Sequence, residues 1–216
     1  MYTFSGVNTM QFLFLLLAFF SSAYAADPNK PHPHQGIATK FGKPTKTALT
    51  AAEVQSIKTG KPILKQVKKS NGGRGIAIMD VNASQEKVWG VITDYKQYPT
   101  YIPELKSASN YNKTEQYAYT KFILSSMMMT IEYYVKHNLY KDEGYVTWTL
   151  DYSRESDLDD STGCWFMYPS PDNPGHTRVE YTIDVRVSGW VPQFVQDILA
   201  ERGLRDATKW VKKAAE

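Results

Sequence analysis

Cysteine is almost missing: Cys164 is the single one in 216 residues, so an internal disulfide framework and a cysteine-based zinc site are both excluded. Histidine is scarce as well, with four residues and no His-x-x-x-His or His-x-His pair beyond the His32-Pro-His34 of the amino-terminal region. No Gly-x-Ser-x-Gly elbow and no phosphate-cradling glycine loop is present, and Gly72-Gly73-Arg74-Gly75 is accounted for by a tight turn. Asp157-Leu-Asp159-Asp160 clusters acids but lacks the glycine and distal glutamate of a calcium loop. No catalytic residue, metal or cofactor is assigned on these grounds. No apolar run reaches the 18 residues of a membrane span. The net charge of +3 is too small to mark a nucleic-acid binder, and no nucleic-acid partner is expected.

What charge there is lies unevenly. Between Asp27 and Arg74 ten Lys and Arg face two acids, and the rest of the chain is net acidic. This basic front reads first as a solvated linker and strand, with peripheral contact to an anionic membrane surface as the alternative. Ahead of it, Met10 to Phe20 is an apolar run of signal-peptide length, followed by small residues at Ala23 and Ala25. The expected organisation is a signal peptide over 1–25, which directs the chain to the secretory pathway or exterior, or to the periplasm if bacterial. A flexible basic linker over 26–46 that buries nothing, a helix-and-strand lead-in over 47–74 and one domain over 75–216 follow. The sequons at Asn82 and Asn112 matter only in a eukaryotic secretory route.

The lead-in begins at Thr50-Ala-Ala-Glu53, the capping-box spacing at which each side chain satisfies the other's exposed backbone donor. Pro62 stops the helix, Ile63 to Lys69 alternates as a strand, and Asn71-Gly72-Gly73 turns it back into Gly75 to Val81. Ser84 caps the next helix, and Tyr95, Tyr98 and Tyr101 with Pro99 and Pro103 mark a broken helical turn. Strands are expected near Leu105–Tyr111, Gln116–Leu124, Thr130–Tyr140, Tyr145–Tyr152, Gly163–Tyr168 and His176–Ser188. The last alternates most clearly. Val179, Tyr181, Ile183, Val185 and Val187 form a dry face, and Arg178, Glu180, Thr182, Asp184 and Arg186 a wet one, read as surface pairing. A long helix from Pro192 to Ala214 carries an apolar stripe through Phe194, Val195, Ile198, Leu199, Leu204, Thr208 and Val211.

The block Val81-Asn-Ala-Ser84, Lys87-Val88-Trp89 to Asp94-Tyr95, and Tyr98-Pro99 to Pro103 resembles the START-like (SRPBCC) superfamily, in its coenzyme Q-binding and polyketide cyclase/dehydrase group. Trp148-Thr-Leu150, Trp165 with Pro169, Gly175 to Tyr181, and Trp190-Val-Pro192 extend the likeness across about Gly75 to Ala214. The resemblance implies an α+β helix-grip fold, a curved antiparallel β-sheet wrapped around a long C-terminal helix with a hydrophobic cavity between them. It implies no single reaction. The partner expected is a hydrophobic small-molecule ligand, lipid, quinone or polyketide-like, bound or transported without catalysis; the alternative is an aromatase/cyclase-type enzyme using the same cavity. Lining residues are expected at Phe122, Ile131, Tyr133, Val135, His137, Trp148, Leu150, Tyr181, Ile183, Val195, Ile198 and Leu199. His137, in phase with Ile131, Tyr133, Val135 and Leu139, is expected on the dry face. The 15 Tyr, 5 Trp and 9 Phe suit a pocket that takes an apolar body and fixes a few oxygens. The Met127-Met128-Met129 run falls between two strands, where flexible side chains suit a cavity mouth.

Overall fold

The computed structural model describes residues 26–69, 72–126, 129–187 and 201–216. Residues 1–25, expected as a signal peptide, Met127 and Met128, and Val195, Ile198 and Leu199 of the expected terminal helix lie outside the described residues.

Local chemistry sets the ends of the helices. Thr50 and Glu53 close a full capping box on α1 (Ala51–Lys58), and Ser84 accepts from the Lys87 amide to cap α2 (Gln85–Thr93). A 3-10 turn over Tyr95–Gln97 leads into the short α3 (Tyr98–Tyr101). The described part of the carboxy-terminal helix is α4 (Glu201–Ala215).

The strands are β1 (Ile63–Lys69), β2 (Gly72–Val81), β3 (Leu105–Lys113), β4 (Tyr117–Ser126), β5 (Met129–Tyr140), β6 (Tyr145–Leu150), β7 (Asp160–Pro169) and β8 (Thr177–Arg186). They form one eight-stranded sheet in the order β1-β2-β8-β7-β6-β5-β4-β3, antiparallel throughout. Five consecutive hairpins run from β3 to β8, and β8 then closes on β2. The chain leaving β2 therefore crosses to the far edge of the sheet through α2 and α3. That crossing and α4 cover one face, and register shifts in β3 bend its outer edge. The helix-grip architecture is the observed fold. Where α4 meets β2, a Cβ on Gly75 would stand 2.5 Å from Leu204 Cδ1, so glycine sets how near the helix can come.

The opposite face departs from the expectation of a wet surface. Arg178, Glu180, Asp184 and Arg186 are buried, Arg178 to 2% exposure. Arg178 holds Asp80 through Nε–Oδ1 at 2.6 Å and Nη2–Oδ2 at 3.1 Å, and Arg186 pairs with Asp184 at 2.9 Å. These are enclosed ion pairs, not solvated ones.

The cover comes from residues 26–47, which do not form the free tether expected of 26–46. The Asp160 carboxylate accepts the Ile37 and Ala38 amides at 2.7 Å each, together with the Tyr152 hydroxyl at 2.8 Å. Glu180 accepts the Thr47 amide and hydroxyl at 3.1 and 2.5 Å and the Tyr168 hydroxyl at 2.6 Å. His32 is buried, with Nε2 2.8 Å from the Asp159 carbonyl oxygen. Lysines of the basic front are likewise engaged: Lys46 lies 4.6 Å over the Tyr168 ring, Lys65 pairs with Glu53 at 2.8 Å, and Lys43 pairs with Glu143. Residues 26–47 are thus a strap laid across the outer face.

Candidate functional site: an aromatic cavity under the terminal helix

Side chains two residues apart on a strand share a face. Tyr133, Val135 and His137 of β5, Tyr181 and Ile183 of β8, and Phe122 and Leu124 of β4 therefore all point inward. With Trp148 of β6 and Ser161 and Trp165 of β7 they form the curved wall of a cavity of about 520 Å³. Leu204 and Trp210 of α4 close it from the helix side, and Tyr98, Tyr101, Ile102 and Leu105 from the α3 end. Glu104, Asp206, Lys209 and Lys213 complete the lining with charge.

Ring-on-ring packing builds the wall. Phe122 stacks on Tyr133 at 5.3 Å between centroids, Trp148 on Tyr181 at 5.8 Å, and Trp210 on Tyr101 at 5.8 Å. Trp165 lies 4.2 Å from Tyr181. Each ring braces its neighbour, so the wall stands without side chains crossing the void. Gly163 makes room for this arrangement: a Cβ there would fall 2.1 Å from Trp148 Cζ2.

Polar groups on the sheet wall of the cavity are few. His137 Nδ1 is 3.2 Å from the Ala118 carbonyl, and its ring stacks 4.1 Å from that of Tyr95. A carbonyl only accepts, so the ring proton sits on Nδ1 and Nε2 keeps its lone pair. Burial pushes the imidazole pKa down to about 3, so the ring is neutral near pH 7. Burial also raises the Tyr133 and Tyr181 phenols above the usual range, and the nearby Tyr133 adds to the rise at Tyr181. Neither hydroxyl has a hydrogen-bond partner among the described residues. Tyr98, in contrast, donates to the Ile92 carbonyl at 2.5 Å, and Trp148 Nε1 donates to Ser161 Oγ at 3.3 Å. Among the described residues no three His, Cys, Asp or Glu side chains come together as metal ligands would.

Of the residues expected to line the cavity, Phe122, Tyr133, Val135, His137, Trp148, Tyr181 and Ile183 do so. Leu150 and Ile131 do not. Leu150 is sealed into the main core, and Ile131, at the start of β5, packs beyond the cavity with Leu158, Val185 and Val187. Val195, Ile198 and Leu199 lie outside the described residues. Sequence reasoning passed over Tyr98, Tyr101, Trp165 and Trp210 as lining. Trp210 adjoins Val211 of the apolar stripe, and a stripe about 100° wide includes it. Trp165 is in phase with Gly163, two residues before it on β7.

The sequence profile of a family described as polyketide cyclase / dehydrase and lipid transport matches residues 77–216. No curated protein sequence resembles the chain closely enough to count as a match. Solved structures share the fold at low identity. A Thermus thermophilus protein is 16% identical with a TM-score of 0.56, covering 66% of this chain and 96% of its own. The aromatase/cyclase Zhui from a Streptomyces species and a STAR-related lipid transfer protein from Xanthomonas axonopodis are each 14% identical with a TM-score of 0.55. Each covers 71% of this chain and 94% of its own.

Proposed function

Because the chain belongs to the polyketide cyclase/dehydrase and lipid transport family, we propose that it binds and carries a hydrophobic small molecule, a lipid, quinone or polyketide-like compound, in this cavity without altering it. The observation that carries the reading is the lining: an aromatic and aliphatic sheet wall around about 520 Å³ whose few polar groups are neutral, with charge only at Glu104 and on the α4 side at Asp206, Lys209 and Lys213. At about 25 cal/mol per Å² removed from water, a guest that buries roughly 300 Å² gains about 7 kcal/mol before the cost of association. Tyr133 and Tyr181 offer hydroxyl donors and His137 an acceptor, which fixes the oxygens of such a guest.

A second reading, an aromatase/cyclase, draws on the same three side chains, since polar groups meeting in an apolar pocket are where proton transfer is carried out. The electrostatics weigh against it. A general base works best with a pKa near the working pH, and His137 at about 3 is a weak base. The phenols are shifted up and hold their protons. The lining favours recognition over proton transfer.

Native mass spectrometry of the protein from its own source, followed by organic extraction, tests the proposal. A retained apolar compound, recovered unchanged after incubation with the protein, is expected. Failure to retain any such compound, together with failure to take up the fluorescent hydrophobe 1-anilinonaphthalene-8-sulfonate, would overturn the carrier. Conversion of a poly-β-ketone analogue that is lost in Tyr133→Phe and His137→Gln would establish the enzyme instead.

A further inference from the structure

The amino-terminal part of the strap is held by acids: the Ala26 amide donates to Asp157 Oδ1 at 3.0 Å, and the Asp27 amide to Glu155 Oε2 at 2.9 Å. Both acids belong to the loop between β6 and β7. The other Asp157 oxygen accepts the Glu132 amide at 2.7 Å, and the Glu155 amide donates to the Lys30 carbonyl at 2.7 Å.

The charges here do not balance. Three acids, Glu132, Glu155 and Asp157, face the start of the strap. The nearby cations are already taken: Lys121 pairs with Glu132 at 2.7 Å, Lys30 with Asp27 at 3.5 Å, and Arg154 with Asp151 at 3.7 Å. Among the described residues neither Asp157 nor Glu155 has a basic side-chain partner. Partial burial and the neighbouring Glu132 and Glu155 raise the Asp157 pKa, the direction expected of a carboxylate short of one positive charge.

The sequence supplies that charge at this nitrogen. Ala23 and Ala25 are the small residues at the third and first positions before the Ala25–Ala26 bond, after the apolar run of Met10 to Phe20. We infer that the chain is cut between Ala25 and Ala26, and that the α-ammonium so formed docks on Asp157 beside Glu155 as an ionic clasp holding the strap to the sheet. The cut is a hydrolysis by an endoprotease of the signal-peptidase class. The hydroxyl of a water molecule adds to the Ala25 carbonyl carbon as the C–N bond breaks, and one water proton goes to the Ala26 nitrogen. The proton released by the new Ala25 carboxyl converts the amine to –NH3+ at neutral pH. A neutral amide donor thereby becomes a charged one at the same oxygen.

The full chain, expressed in a secreting host, tests both halves. Intact mass and amino-terminal sequencing are expected to show a protein beginning at Ala26; an uncut chain, or one cut elsewhere, overturns the inference. On the recovered protein, the α-amine is titrated by its pH-dependent acylation rate. Its pKa is expected about half a unit above the ordinary range, roughly a threefold shift in the ionisation constant, as for an exposed ion pair. Asp157→Asn should return it to that range, with Glu155→Gln lowering it by less. An unshifted amine in the unaltered protein, or a shift that survives both substitutions together, overturns the clasp.

Discussion

His137 turns the acid stability of this fold into a measurement on one side chain. Its ring is enclosed by Tyr95, Phe122 and Trp148, and burial pushes its pKa from 6.5 down to about 3, with the Ala118 carbonyl opposing more weakly. Between those values the unfolded chain takes up a proton that the folded chain refuses. Stability is therefore complete above about pH 6.5 and falls as the pH drops toward about 3. Each pH unit inside the window costs up to about 1.4 kcal/mol, so at about pH 4.5 the loss is about 2–3 kcal/mol. That is a large part of the roughly 5–15 kcal/mol that holds a domain folded. Carboxylates add their own acid loss: Lys65 and the Thr50 amide hold Glu53 down to about 2, and Lys121 and Tyr134 lower Glu132 against its burial. Comparison with His137→Gln subtracts these contributions, because glutamine carries no charge at any pH and its amide can still donate to Ala118. Urea unfolding at about pH 7.5 and about pH 4.5 should show the unaltered protein losing about 2–3 kcal/mol more than the variant. Parallel losses in the two proteins would refute a buried, neutral imidazole.

Two further substitutions probe the two faces of the sheet. Gly163→Ala places a methyl 2.1 Å from Trp148 Cζ2 and 2.4 Å from the Thr182 carbonyl oxygen, which is backbone and does not yield. A loss of about 1–3 kcal/mol or more, with a shifted tryptophan emission, is expected, and unchanged stability would show that the wall relaxes freely. On the outer face, Arg178→Met strips the buried Asp80 carboxylate of both guanidinium bonds and leaves it the Ser170 hydroxyl at 2.8 Å. Thermal unfolding should report a loss of about 3–5 kcal/mol, largely recovered when Asp80→Asn is added; a double variant no better than the single one would contradict the charge argument.

The parts of the fold that were legible are those governed by a local rule. Thr50 with Glu53 and Ser84 announced helix starts because a cap is decided by one side chain and the next turn. Tyr133, Val135 and His137 fall on one dry face because strand faces repeat every two residues, and the family likeness puts a cavity on that face. The same rule failed on β8. Alternation separates Arg178, Glu180 and Asp184 from Val179, Tyr181 and Ile183, but it carries no information about a distant segment covering the polar side. The strap left no pattern because much of its hold is through backbone: the amides of Ile37, Ala38 and Thr47 reach Asp160 and Glu180, whatever their side chains are. Leu150 and Ile131 obey the strand rule and still miss the cavity, since phase gives a face and not a position along it.

The strap and the cavity meet in the same two strands. On β7, Ser161 and Trp165 face the cavity, while Asp160 and Tyr168 bind or support the strap; on β8, Tyr181 and Ile183 face inward and Glu180 outward. A hollow of about 520 Å³ is a liability to its wall. Left empty, it would deprive Trp148, Trp165 and Tyr181 of packing partners on their inner side. Water relieves part of that, and an apolar guest would relieve more by restoring packing to Trp148, Trp165 and Tyr181. On the outside, β7 and β8 are tied to the strap through the Asp160 and Glu180 carboxylates, which accept from Ile37, Ala38 and Thr47. A sheet buried on its polar face can leave its apolar face hollow, which is the condition for an internal site that is present before any ligand arrives.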